Sequence, residues 1–180
     1  MCIGVCTLVE ESQSDSTCVP YKNRRRYYVS TAILFFVQGL VFLYLWTINP
    51  ILSLIMIVLY LATSYFQSYC CVYQDCPYIG EFCPAVSGIY VGNILAQRLY
   101  SKDTPKSEKR FQRYKNMGIL FWLLMAFFPL YWIYLLDLYY AIFYVIFHLG
   151  YYIGFGLAIC PTCAIRDTCP GGALQKQVFK

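Results

Sequence analysis

The stretch "WTINPILSL", Trp46 to Leu54, interrupts an apolar run that otherwise extends from Tyr27 to Tyr73. Its two breakers are Asn49 and Pro50. Proline lacks an amide hydrogen and its ring clashes with the preceding helical turn, and asparagine suits a turn through its own side-chain hydrogen bonds. The run therefore divides here into two segments. A second apolar block, Met117 to Cys160, divides in the same way near Asp137. A membrane-crossing helix needs about 20 mostly apolar residues. Each block holds two such segments, 27–48 and 51–69, then 117–136 and 139–160. Inside lipid every backbone amide and carbonyl needs an internal partner, which a helix supplies. The sequence predicts an all-α membrane protein of four transmembrane helices, arranged as two helical hairpins.

Composition points the same way. The 180 residues are 59% hydrophobic and 13% charged, with a mean hydropathy of +0.52. A soluble domain carries about 25% charged residues, so this chain cannot cover itself with polar surface in water. The length suits one domain. Tyr27, Tyr28, Trp46, Tyr69, Tyr139 and Tyr140 fall near the segment ends, where amphipathic rings anchor at the membrane interface. The first 21 residues lack an apolar core preceded by positive charge, so no cleavable signal peptide is expected. Arg24, Arg25 and Arg26 ahead of the first segment read as the flank of an uncleaved anchor.

The 14 basic residues divide cleanly. Lys22 and Arg24 to Arg26 precede the first segment. Arg98, Lys102, Lys106, Lys109, Arg110, Arg113 and Lys115 lie between the second and third. Arg166, Lys176 and Lys180 follow the fourth. With four crossings these three regions share one side, and the opposite side, at Asn49-Pro50 and Asp137, has no Lys or Arg. Basic residues mark cytoplasmic flanks, so both termini are expected in the cytoplasm. The net charge of +5 is then an orientation signal with some attraction to anionic headgroups, and no nucleic-acid partner is implied.

The chain divides into a cytoplasmic arm (1–26), a first hairpin (27–69), a cysteine-rich loop with an interfacial helix (70–116), a second hairpin (117–160) and a cysteine-containing tail (161–180). Residues 85–100 are too short and polar to span, and their apolar positions Val91, Leu95 and Leu99 predict an amphipathic surface helix. Pro129 is expected to kink the third segment. Gly150, Gly154 and Ala158, four apart, predict a face packed inside the bundle, because small residues let helices approach closely in lipid.

All 10 cysteines lie at or beside the predicted cytoplasmic face. The arm has Cys2, Cys6 and Cys18, the loop Cys70, Cys71, Cys76 and Cys83, and the tail Cys160, Cys163 and Cys169. Loop and tail echo one another: Cys71-Val-Tyr-Gln-Asp-Cys76-Pro and Cys163-Ala-Ile-Arg-Asp-Thr-Cys169-Pro share their Cys, Asp, Cys and Pro in order, with one inserted threonine. Cys-Pro occurs at 76–77, 83–84, 160–161 and 169–170, against about 0.4 occurrences expected by chance from composition. Proline keeps the preceding residue extended and removes the next amide donor, which presents a sulfur from a stiff loop.

Four chemistries compete for these thiols. The cytoplasm keeps thiols reduced, so a cluster there suggests metal binding or catalysis ahead of disulfides. Cys160-x-x-Cys163 can chelate an ion, with Cys71, Cys76, Cys83 or Cys169 completing a set suited to zinc or an iron–sulfur cluster. Disulfide exchange is a second chemistry, although Cys160 at a helix C-terminus lacks the dipole that favours a thiolate. Structural disulfides would need the opposite topology or a hyperthermophilic host. Acylation of Cys2, Cys6, Cys70, Cys71 or Cys160 would suit their position at the membrane surface and would make the protein a non-enzymatic scaffold.

His148, the single histidine, sits near the middle of the fourth segment between Tyr144 and Tyr152. Ionisable residues inside a membrane are candidates for function, so His148 is a candidate cofactor contact, for a quinone or a haem. The alternative is a neutral histidine bonded to a neighbouring helix, with Gln38 as partner. No Asp, Glu, Lys or Arg lies within a segment, which argues against a proton- or ion-coupled carrier. P-loop, HExxH, GxSxG and GxGxxG patterns are absent. The reading is a membrane protein with a cytoplasmic cysteine metal site, zinc or iron–sulfur, at Cys76, Cys160, Cys163 and Cys169, then Cys71 and Cys83. It fits an accessory or electron-transfer subunit of a membrane complex, without catalytic residues of its own.

Overall fold

The computed structural model describes residues 24–76, 78–79, 90–100 and 105–160. Cys2, Cys6, Cys18, Cys83, Cys163 and Cys169 lie outside the described residues. Five helices run in order: α1 (Arg24–Ile48), α2 (Pro50–Tyr73), α3 (Tyr90–Leu99), α4 (Glu108–Leu136) and α5 (Leu138–Ala158). No strand occurs among the described residues. α1, α2, α4 and α5 are each long and apolar enough to cross a membrane, which makes this a multi-pass membrane protein by length and composition.

Asn49 and Asp137 each form a one-residue turn between helices. Asn49 is extended, and its Oδ1 accepts from the Ile51 amide at 3.0 Å, capping α2, whose first position is Pro50. Asp137 is extended too, and its Oδ1 accepts from the Tyr139 amide at 2.7 Å, capping α5. Side-chain caps of this kind satisfy an otherwise orphaned amide at a helix start, and proline at the first position loses nothing. Three helices outrun their apolar segments, the first of them α1, which begins at Arg24 in the basic flank. α2 continues to Tyr73, and α4 begins at Glu108 within the charged connector. Hydropathy marks where lipid begins, while helical hydrogen bonding continues through polar residues outside it.

α2 is the centre of the molecule. It packs most extensively on α4 and next on α3, while α1 packs on α2 and α5 on α4. Ser53, Thr63, Ser64 and Ser68 of α2 are buried. The hydroxyls of the last three donate to carbonyls of the same helix at 2.6–2.9 Å. Small side chains with internally satisfied hydroxyls allow close helix approach without a buried polar penalty. On α4, a Cβ added at Gly118 would lie 3.7 Å from the Phe66 Cβ of α2. Pro129 is fully buried inside α4. Proline removes one backbone donor from that turn, and there Tyr144 of α5 donates its hydroxyl to the Ala126 carbonyl at 3.0 Å.

Facing differs from the sequence expectation in two places. Gly150, Gly154 and Ala158 are exposed, and an added Cβ at Gly150 or Gly154 would meet nothing within 4 Å. The inward face of α5 is instead Ala141, Tyr144, His148, Phe155 and Ile159, where Tyr144 bonds the Ala126 carbonyl of α4 and His148 meets Gln38 of α1. Tyr27 and Tyr69 are likewise core residues rather than interfacial anchors, at 0% and 1% exposure. Tyr28, Trp46, Tyr139 and Tyr140 do face outward. α3 packs against α2 through Gly92 and Ala96, and Ile94 and Leu99 point away. Asn93 Nδ2 donates to the Tyr78 carbonyl at 2.7 Å, which ties α3 to the segment following α2.

Candidate thiol site

The end of α2 is built from a defined set of backbone hydrogen bonds. The Gln74 amide donates to the Cys70 carbonyl and the Asp75 amide to the Val72 carbonyl, both at 3.2 Å. The Cys76 amide reaches back to the Cys71 carbonyl at 3.0 Å. Asp75 has φ of +49°. This is a Schellman termination, in which a left-handed residue just past the helix lets two later amides satisfy orphaned carbonyls. Asp tolerates that conformation better than a β-branched residue because its side chain is short and polar. Lys106 Nζ donates to Asp75 Oδ2 and pairs with it.

The motif has a consequence for chemistry. It brings the side chains of its first and last residues together, usually as an apolar contact. Here those residues are Cys71 and Cys76, and their thiols hydrogen-bond. That bond holds the Cys76 thiol below its usual range; burial opposes the effect, and the Tyr78 amide donating to the same sulfur reinforces it. In the sequence, the proline between Cys76 and Tyr78 has no amide to give, so the next donor along serves the sulfur.

Three regions converge on this pair. Cys76 and Tyr78 from beyond α2, Tyr27 from the start of α1, and Phe155 and Ile159 from the end of α5 form one buried cluster. Cys71 and Cys160 pack against it. The predicted site residues Cys71, Cys76 and Cys160 therefore share one locality, and none of them is in a disulfide. Cys76 is buried, and Cys71 and Cys160 are partly exposed. Among the described residues no three Cys, His, Asp or Glu side chains are gathered to hold a metal ion. Cys83, Cys163 and Cys169 lie outside the described residues. Cys70 takes another direction: its thiol donates to the Phe66 carbonyl at 3.6 Å, and it is buried with Tyr69 and Phe111.

Sequence reasoning missed the fastening beside the site. The Arg110 guanidinium lies 4.4 Å from the Tyr69 ring centroid, 5.1 Å from Tyr114 and 5.9 Å from Tyr100. Cation–π contacts of this kind contribute about 0.5–2 kcal/mol each depending on desolvation. The Ser107 amide donates to the Tyr69 hydroxyl, and Tyr73 donates to Glu108. Together they hold the start of α4 against the end of α2. The pairs Tyr69/Tyr73 and Arg110/Tyr114 at four-residue spacing were the signal.

His148 is 7% exposed. Its Nδ1 is 2.8 Å from the Tyr144 carbonyl, so Nδ1 carries the proton. Nε2 then accepts from the Gln38 amide nitrogen at 2.7 Å. Gln38, the partner suggested by the sequence, is thus the α1 residue that meets it. With both ring nitrogens engaged, a haem or quinone at this histidine would have to displace Gln38.

No protein-family model matches this chain, and no curated protein or solved structure matches it.

Proposed function

We propose that the chain is a multi-pass membrane protein of two helical hairpins whose loop and tail form a thiolate metal site on the cytoplasmic face. The observation that carries this reading is the convergence of Cys71, Cys76 and Cys160 on one cluster where α2 and α5 end. Cys160 leads directly into Cys163 and Cys169 in sequence, so loop and tail sulfurs together are enough in number for a four-thiolate set, as zinc and iron–sulfur clusters take. An amide donating to the Cys76 sulfur is the kind of contact that stabilises a bound thiolate. The metal would join the ends of the two hairpins, and an iron–sulfur cluster there would make the protein an electron-transfer or accessory subunit of a membrane complex. The side of each terminus follows from the basic residues alone.

Burial of Cys70 and Cys76 disfavours acylation at those two positions, since an acyl chain needs an accessible sulfur. The test is metal analysis with optical and EPR spectra on full-length protein extracted anaerobically in mild detergent. Near-stoichiometric zinc without colour means a structural clasp. Iron with labile sulfide means an electron carrier. Absence of both metals overturns the reading.

A further inference from the structure

We infer that Cys71 and Cys76 form a reversible intramolecular disulfide, a redox modification site set by the helix termination itself. Cys71 packs against the buried cluster that contains Cys76, and a cap of this kind brings the side chains of its first and last residues together. They are held there by the Cys76 amide on the Cys71 carbonyl and by the left-handed Asp75 between them. Neither contact depends on the tail or on a bound ion. Their exposures differ: Cys71 is partly open and Cys76 is buried. Cys71 is therefore the entry thiol and Cys76 the resolving thiol.

The oxidant is a low-molecular-weight disulfide such as glutathione disulfide. The Cys71 thiolate attacks one of its sulfurs, the S–S bond breaks, and one glutathione leaves as thiolate. The Cys76 thiolate then attacks the Cys71 sulfur of the mixed disulfide and the second glutathione leaves. Two protons pass from the cysteines to the two glutathiones. The cysteine pair loses two electrons and glutathione disulfide gains them. In a reduced cytoplasm the pair rests as thiols, so the bond would form only under oxidative load. A consequence that rests on the metal reading above is release of the ion, because the disulfide withdraws two sulfurs from it.

The experiment equilibrates full-length protein in detergent with glutathione buffers of rising disulfide content, then alkylates, maps bonds by mass spectrometry and assays zinc. The expected result is loss of two alkylatable thiols per chain and a bond between Cys71 and Cys76. A variant retaining only these two cysteines should behave in the same way. Cys76→Ser should trap glutathione on Cys71 as a stable adduct. Asp75→Val, which opposes the left-handed turn, should slow closure about tenfold. A bond mapped to other cysteines overturns the pairing, as does wild-type protein that stays fully reduced in excess glutathione disulfide. Zinc retained after the Cys71–Cys76 bond has formed overturns the release. Protein that carries no metal at the outset overturns the metal reading alone, while the thiol count still decides the disulfide.

Discussion

Asp75 is the residue on which the site turns. Its positive φ closes the cap that brings Cys71 and Cys76 together. Asparagine and glycine also accept that conformation, whereas a β-branched side chain costs about 1–2 kcal/mol there. Asp75→Asn should therefore keep the thiol pair and lose only the exposed ion pair to Lys106, a small effect. Asp75→Val should lower unfolding stability in detergent by about 1–2 kcal/mol. Equal stability of the two variants would show that the backbone conformation is not what holds this turn. His148 and Gln38 pose a different case. Gln38 Oε1 is buried without a partner among the described residues, so Gln38→Leu strands the histidine nitrogen but removes one unpaired atom as well. The net loss should be near the average for polar pairs in membranes, about 0.6 kcal/mol. His148→Leu strands the Gln38 amide nitrogen beside its already unpaired oxygen and should cost more, about 1–3 kcal/mol. Unfolding of the two variants and their double in one detergent measures the coupling.

Among the elements, α2 carries the architecture because its inward face is serine and threonine rather than leucine. Ser64 is fully buried, and its hydroxyl is satisfied by its own helix through the Tyr60 carbonyl. Ser64→Ala should be nearly neutral. Ser64→Leu forces extra carbons into a closed contact and should destabilise by about 1–3 kcal/mol. If Ser64→Leu unfolds at the wild-type temperature, the close approach around α2 is not what holds the helices together. Arg110 of α4 over Tyr69 of α2 is a further contact of the α2–α4 junction, beside the stacked pairs Tyr73/Phe111 and Phe66/Phe121. Arg110→Ala should cost about 1–2 kcal/mol, and Arg110→Lys should recover only part, because the flat guanidinium stacks on a ring and an ammonium does not. Complete rescue by lysine would reduce this contact to simple charge.

Taken whole, the molecule gathers its chemistry at one end. The cluster around Val41, Leu45, Met56, Ile133, Ala141 and Tyr144 lies toward the Asn49 and Asp137 turns, with no cysteine in it. The thiol cluster and the Arg110 junction lie at the other end. With four crossings, cysteines introduced singly at Arg25, Lys109 and Lys176 in a cysteine-free background should all react with an impermeant maleimide from the same side. Thr47→Cys and Tyr139→Cys should react from the opposite side. Labelling sealed vesicles of both orientations reads this directly. Labelling of position 176 from the side opposite to position 109 would remove one crossing and with it the shared face of loop and tail on which the metal reading depends.

The number and limits of the apolar segments, the breaks at Asn49 and Asp137 and the pairing of His148 with Gln38 were all legible before any fold. Each is a local property: a run of hydropathy, a residue that cannot continue a helix, or a lone polar group in lipid that must find another. The position of Cys71 and Cys76 at the end of an apolar run was legible too, but their mutual contact was not. It arises from a helix extending to Tyr73 and ending in a left-handed aspartate. The inward and outward faces of α5 were misread for a more general reason. In water, hydropathy separates the buried face of a helix from the exposed one. In lipid both faces are apolar, so the choice between the glycine stripe and the Tyr144–His148–Phe155 stripe falls to shape and hydrogen bonding against neighbouring helices. Those neighbours exist only once the bundle has assembled.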